Sequence, residues 1–381
     1  MKKSKLRLDT TIEYGLVLEG GGAKGSYQIG AWKALQEAGV RFKAIAGTSV
    51  GALNGALICA GDLPQAEEIW RRISYSKVME VDDDTMYRVL HGQATWDEKR
   101  DVLREFTTQH GFEVEPLLQL IRENITPASL RSSLCDLYIH TYNATQHMAE
   151  EIDIKALPDE WIAEYLLASA YLYPLFKQRK INGNYYLDGS VVDNLPLTSL
   201  LRRDVKDIIV IRIFGIGHTK AVDIPEDTQV HTIAPRVSLG KTIEFEPKRA
   251  AVNMKIGYFD TMRFLYGLQG SIYYIKNADK EEKQYDKKLR ALCEAAGLLD
   301  ADTVARQEIL YQKFLKKTVR LLALRTTNRQ EIYLHCLEAA ARLCRVKKYK
   351  IYSPGQLLKE IQSRKAQLSA KECELPFMQI F

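Results

Sequence analysis

The chain has 381 residues, 46% of them hydrophobic and 27% charged, and a formal net charge of +6. That is enough chain for one large domain or two with a sizeable core, and the composition excludes disorder or low complexity over most of its length. No stretch nears the ~18 apolar residues of a membrane span, and the basic start MKKSKLRLDTTIEYG lacks the apolar segment of a secretory signal. Six scattered cysteines with no CxxC pair argue against a zinc site and a disulfide framework, so the expected address is the reducing cytoplasm.

Read in chain order, YGLVL is a short apolar strand, and SYQIGAWKALQEAG is a helix that closes at Gly39. FKAIAG is a second strand, followed by the small-residue helix SVGALNGALICAG, which ends at Gly61. Strand, helix, strand, helix predicts a parallel sheet with helices on both faces. Residues 62–130 read as largely helical, and LYIHTYNATQ alternates like a strand. WIAEYLLASAYLYPLF is expected to be a helix ending before Pro174, GNYYLDGSVVDNLP a strand running into a turn, and DIIVIRIFG another buried strand. From about Gly270 the pattern turns helical and basic: residues 271–381 hold 22 Lys/Arg against 13 Asp/Glu, whereas the first 270 hold 32 against 35.

The first turn, Gly20-Gly21-Gly22-Ala23-Lys24-Gly25, satisfies the G-x-G-x-x-G of a dinucleotide fold. That reading needs an acid near the end of the second strand to hold the ribose, and there is none from Val40 to Ala60. A P-loop needs Gly-Lys-Ser/Thr, and the order here is Lys24-Gly25-Ser26. A tight packing turn explains one or two glycines, not four in six positions. In place of the missing acid stands Gly47-Thr48-Ser49-Val50-Gly51, a G-x-S-x-G nucleophile elbow on a strand-to-helix turn. Both strand ends lie on one edge of a parallel sheet, so the amides of Gly20 to Gly22 face Ser49 across the crevice and are placed to hold an oxyanion.

A serine nucleophile needs a base. None of His91, His110, His140, His147, His218, His231 and His335 sits in a suitable strand-end loop; His140 reads as a packed or edge residue in mid-strand, and His231 is the best of the seven but lacks a partner. Asp188 follows an aromatic strand and precedes Gly189, which projects its carboxylate from the sheet edge toward the same crevice, although Asp-Gly is also a common turn pair. Asp193 is the rival, in a stretch that resembles a helix-entry turn. A direct Ser–Asp pair works chemically when burial raises the carboxylate's basicity.

Together these residues resemble the patatin-like phospholipases: EGGGAKG as the oxyanion loop, GTSVG as the elbow, ASAYLYPLF as an Ala-Ser-x-x-x-x-Pro-x-Phe segment, and LDGSVVDNLP carrying the aspartate. The resemblance covers about residues 12–270, between a tail at 1–11 and a basic helical region at 271–381. It implies a three-layer α/β/α sandwich with a mainly parallel central sheet, and metal-independent hydrolysis of lipid acyl esters without a cofactor. Carried onto this chain, Ser49 is the nucleophile and Asp188 the base. Gly20, Gly21 and Gly22 form the oxyanion hole, Lys24 and Gly25 complete its loop, and Gly47 and Gly51 flank the elbow. Glu19 would oppose an oxyanion if it faced the site, so it is expected to point away, and Ser190 after Asp-Gly keeps a small residue. Acyl transfer on the same site, and lipid binding without catalysis, are the alternatives. The basic region reads either as a solvated helical bundle or as a peripheral contact with anionic lipid through Lys313, Lys316, Lys317, Arg320, Arg345, Lys347, Lys348 and Lys350. No nucleic-acid motif is present.

Overall fold

The computed structural model describes residues 6–276 and 282–381. The first five residues of the tail and residues 277–281 of the basic region lie outside the described residues. Leu8–Thr261 form one compact unit and Met262–Phe381 belong to a second.

The strands of the first unit are β1 (Glu13–Leu18), β2 (Arg41–Thr48), β3 (Asp136–Asn143), β4 (Met148–Asp153), β5 (Tyr186–Asp188), β6 (Asp207–Ile211) and β7 (Gln229–Ile233). They form one sheet in the order β4-β3-β2-β1-β6-β7, with β5 paired to β3. The pairs β1–β2, β1–β6, β2–β3 and β6–β7 are parallel, and β4 and β5 run antiparallel to β3. Apolar runs such as LVL in β1 and IIVI in β6 are buried throughout, as central strands covered on both faces require.

The helices of this unit are α1 (Ser26–Glu37), α2 (Val50–Ala60), α3 (Leu63–Arg71), α4 (Asp83–Leu90), α5 (Trp96–Gln109), α6 (Glu115–Asn124), α7 (Pro127–Ser132), α8 (Asp159–Ser169), α9 (Leu197–Leu201) and α10 (Pro247–Tyr266), the last crossing the division between units. Strand residues alternate between the two faces. Leu18, Ile45 and Leu137 meet α2 so closely that a Cβ on Gly55 would stand 2.9 Å from Leu137. Val17, Ala46, Tyr138 and Val210 form a core with Leu197 and Leu200 of α9 on the opposite face. Helices therefore cover both sides of a mainly parallel sheet.

Helix α8 stops at Ser169 rather than just before Pro174. The apolar periodicity continues past that point, but the Tyr171 carbonyl accepts the Asp188 N–H at 2.9 Å, so the chain leaves the helix to support β5. The amphipathic pieces of 62–130 are helical, as expected.

The second unit has its own core, in which Tyr285, Tyr311, Tyr333 and Leu337 are buried. It contains a two-stranded pair, β8 (Tyr274–Ile275) with β9 (Ile351–Tyr352), and the helices α11 (Glu282–Ala295), α12 (Val304–Leu321), α13 (Arg329–Leu343), α14 (Pro354–Lys365), α15 (Ala370–Cys373) and α16 (Pro376–Gln379). Lys313, Lys316, Lys317 and Arg320 are all exposed, and their three- and four-residue spacing puts them on one face of α12. No helix among the described residues is long and apolar enough to cross a membrane. All six cysteines are free thiols, five of them buried.

Candidate active site

Strand register brings the serine and the aspartate together. Parallel pairing aligns Leu18 with Gly47, so β1 and β2 end at one edge of the sheet. Strand β3 pairs with β2 as far as Thr48↔His140; its next residue, Thr141, pairs instead with Asp188 of β5. Strand β5 thus takes over beside β3 where β2 gives way to Ser49.

Ser49 sits at φ 57°, ψ −128°, a conformation that a non-glycine residue adopts only when its surroundings hold it there. Its N–H donates to Ser169 Oγ at 3.0 Å, and that hydroxyl donates to the His140 carbonyl at 2.7 Å. The flanking glycines allow the close approach: a Cβ on Gly47 would lie 2.4 Å from the Gly51 carbonyl oxygen, and one on Gly51 2.2 Å from that of Leu18. Ser49 and Asp188 are both buried, at 8% and 3% exposure. Burial pushes the Asp188 carboxyl above the ordinary aspartate range, while the Ser49 hydroxyl and the Ser190 N–H, the latter at 2.8 Å, pull the other way. Ser49 and Asp188 line one cavity, and burial of this kind makes a carboxylate more basic.

The glycine turn is more selective than its sequence implies. The Gly20 N–H is spent on the Asn194 carbonyl at 3.1 Å, and Asn194 Nδ2 donates back to the Gly20 carbonyl at 3.2 Å. This corrects the expectation of a Gly20 donor: the residue is glycine because a Cβ would stand 2.3 Å from Asn194 Oδ1. The Lys24 N–H folds back on the Gly21 carbonyl and its ammonium donates to the Phe214 carbonyl at 2.7 Å, so Lys24 shapes the loop. Gly25 leads into α1, and its carbonyl accepts from Asn54. The N–H groups of Gly21 and Gly22 have no acceptor among the described residues, and both glycines line the cavity that contains Ser49 and Asp188. Glu19 behaves as expected: its carboxylate takes Arg212 at 2.8 Å and the N–H groups of Ile213 and Phe214 at 2.6 and 2.8 Å.

From these polar groups the cavity extends along apolar side chains: Leu53 and Leu57 of α2, Trp70 of α3, Leu117 and Ile121 of α6, and Phe176 and Phe245. No histidine lines it. His140 points to Ser199 instead, and His231 lies on β7 with its ring against Tyr14. Asp193 occupies the helix-entry turn, accepting the Leu195 N–H at 3.2 Å.

Residues 16–201 match the family model for patatin-like phospholipase. The chain carries a patatin-like phospholipase domain. Among curated relatives, lysophospholipase NTE1 of Cryptococcus neoformans var. neoformans serotype D is 30% identical over 215 residues, 55% of this chain and 12% of that protein. The NTE1 lysophospholipase of Kluyveromyces lactis is 27% identical over 274 residues, 70% of this chain and 17% of that one. The chain therefore spans a small fraction of the length of the curated relatives it matches. Among solved structures, VipD from Legionella pneumophila aligns over 97% of this chain and 90% of its own, with a TM-score of 0.43 and 16% identity.

Within the patatin-like domain, three residues support the site that motif reading passes over. Ser169 bridges the elbow to β3, Asn194 clamps Gly20 from both sides, and Ser190 donates to Asp188. All three lie inside the sequence segments that carry the family resemblance. Their roles follow from contacts across 120 to 174 residues for Ser169 and Asn194, which no local pattern encodes.

Proposed function

We propose that this chain is a serine acyl hydrolase of lipid esters acting through Ser49 and Asp188. One observation carries the reading: a strained, buried serine, a carboxyl made basic by burial and two unengaged glycine N–H groups line one cavity whose remainder is apolar. Ser49 Oγ attacks the ester carbonyl carbon while Asp188 takes its proton. The carbonyl π electrons move onto oxygen, where the Gly21 and Gly22 N–H groups receive the charge; a donor of this kind contributes about 3 kcal/mol. As the tetrahedral species collapses, the C–O bond to the alcohol breaks and Asp188 returns the proton to it. Water then repeats the cycle: Asp188 takes its proton, hydroxide oxygen bonds to the acyl carbon, and Ser49 leaves with the proton returned. The acyl chain occupies the apolar part of the cavity. The NTE1 relatives make lysophospholipids the first substrates to test.

The exposed cations of α12 favour approach to an anionic lipid surface, each contributing about 1 kcal/mol there. Reversing Lys316 and Arg320 to Glu is expected to weaken sedimentation with phosphatidylserine vesicles and leave hydrolysis of a soluble ester unchanged; unchanged sedimentation would assign α12 to a solvated face.

The test of the chemistry is hydrolysis of p-nitrophenyl esters across acyl lengths by wild type and Ser49→Ala. Activity should fall by about 10⁴-fold or more in the variant, at unchanged melting temperature. Retained activity in Ser49→Ala would remove the nucleophile from the account. Added glycerol or lysolipid in the same assay distinguishes transfer from hydrolysis by the products formed.

A further inference from the structure

The segment GKTIEFE, residues 240–246, presents two chemistries in alternation. Thr242, Ile243 and Phe245 line the cavity, and the Thr242 carbonyl accepts the Ala23 N–H at 2.8 Å, which ties the segment to the glycine turn. Glu244 and Glu246 gather with His91, the residue that caps the C-terminal end of α4. One ligand atom from each of the three lies within 4.8 Å of the others.

Several features suit a metal site. His91 Nε2 and Glu246 Oε1 stand 3.4 Å apart. Two donors each about 2.0–2.2 Å from a tetrahedral zinc are separated by roughly 3.3–3.5 Å. Each ligand also has an orienting partner of its own. His91 Nδ1 lies 2.9 Å from the Tyr87 carbonyl, which accepts its proton, and the imidazole stacks on the Tyr87 ring at 4.2 Å. That turns Nε2 toward the Glu246 carboxylate. Glu246 accepts the Tyr75 hydroxyl at 3.2 Å, and Glu244 accepts the Lys241 N–H at 2.9 Å. A donor set in which every ligand is held by a second group is the usual design of a metal site. The C-terminal end of α4 adds its partial negative charge.

We propose that His91, Glu244 and Glu246 bind a zinc-class divalent cation, which pins the cavity-lining segment 240–246 to the end of α4. Mixed imidazole and carboxylate donors suit zinc. The ion takes no part in the ester chemistry. It is a positioning element, joining the wall of the cavity and, through Thr242 and Ala23, the turn that carries Gly21 and Gly22. Lys241, whose ammonium donates to the Leu90 carbonyl at 2.9 Å, already links the same two segments.

The test is titration of the chelator-stripped 381-residue chain with Zn²⁺ by calorimetry, with Co²⁺ as the visible-absorption probe. One Zn²⁺ per chain, a melting temperature that rises with Zn²⁺, and a Co²⁺ band of tetrahedral intensity are expected. Loss of an outer partner alone weakens such sites by about 10–100-fold, so His91→Ala and Glu246→Gln should each lower affinity by more than about 100-fold. If His91→Ala fails to fold, His91→Gln and Glu244→Gln carry the same expectation. Binding of equal affinity in these variants, or no shift in melting with excess Zn²⁺, overturns the proposal; in the second case a proton is what joins His91 to Glu246. These readouts do not involve turnover, so either failure leaves the hydrolase reading intact.

Discussion

Strand β3 carries a serine-and-carboxyl cluster on each side, and the two have opposite characters. On the side of His140, the imidazole Nε2 lies 2.7 Å from Ser199 Oγ, and Ser199 donates to Glu151 at 2.7 Å. Arg203 completes the group with a 2.7 Å ion pair to Glu151. By residue type this looks like a catalytic set. One residue further along β3, on the other side, are Asp188 and Ser49. Ser199 is fully buried and lines none of the cavity that contains Ser49. Glu151 is held well below the usual carboxylate range, chiefly by His140 and then by Ser199 and Arg203, against the effect of burial. Asp188 is pushed above that range because burial outweighs its hydrogen bonds. A carboxylate satisfied as an anion is a poor base, and one that is desolvated is a better one. What separates the proposed reactive cluster from the structural one is access and an unfavourable charge state, not the identity of the residues.

The comparison breaks most sharply at Asp188. Asp188→Asn should lower kcat/KM on a soluble ester by about 10⁴-fold. In wild type the acid limb of the pH profile should lie above the ordinary aspartate value of about 3.9, because the free base is lost as pH falls through a raised pKa. Stability should move the other way. With the folded pKa above the unfolded one, the native state binds more protons, so wild-type stability declines as pH rises from about 3.9 through the folded value. Asp188→Asn, which does not titrate, should therefore melt higher than wild type at neutral pH and lose that advantage below about pH 4. A variant that is both inactive and less stable at neutral pH would contradict the desolvated base.

Glu151 should show the mirror image. Glu151→Gln is expected to cost about 2 kcal/mol of stability at pH 7, read by chemical denaturation, and to leave kcat/KM unchanged. Its folded pKa is depressed, so that contribution is present above the unfolded value of about 4.3 and lost as pH falls below it. Ser199→Ala carries the smallest expectation: a modest loss of stability, about 1 kcal/mol, and normal turnover. A large rate effect from either substitution would bring the His140 cluster into the chemistry.

Much of this site was legible from the chain. The buried runs of β1 and β2, the two glycine-bounded turns and the Asp-Gly after β5 mark the proposed nucleophile, base and donor loop, because strand and turn chemistry are local. Strands β4 and β7 escaped, since MAEEID and QVHTI are largely solvent-contacting edge sequences without an apolar run. The overestimated end of α8 has the same origin in reverse: apolar periodicity continues where tertiary hydrogen bonding to β5 ends the helix. The fate of the Gly20 amide could not be read locally either, because its acceptor is Asn194, 174 residues away. For the same reason, His91, Glu244 and Glu246 carry no spacing that announces a group.

The central claim is that Ser49, and not the serine across β3, is the activated nucleophile. Labelling the native chain with a fluorophosphonate and mapping the adduct by peptide mass spectrometry tests it directly. The account predicts one adduct, on Ser49, absent in Ser49→Ala and formed much more slowly in Asp188→Asn. An adduct on Ser199, or labelling that persists undiminished in Ser49→Ala, would contradict it.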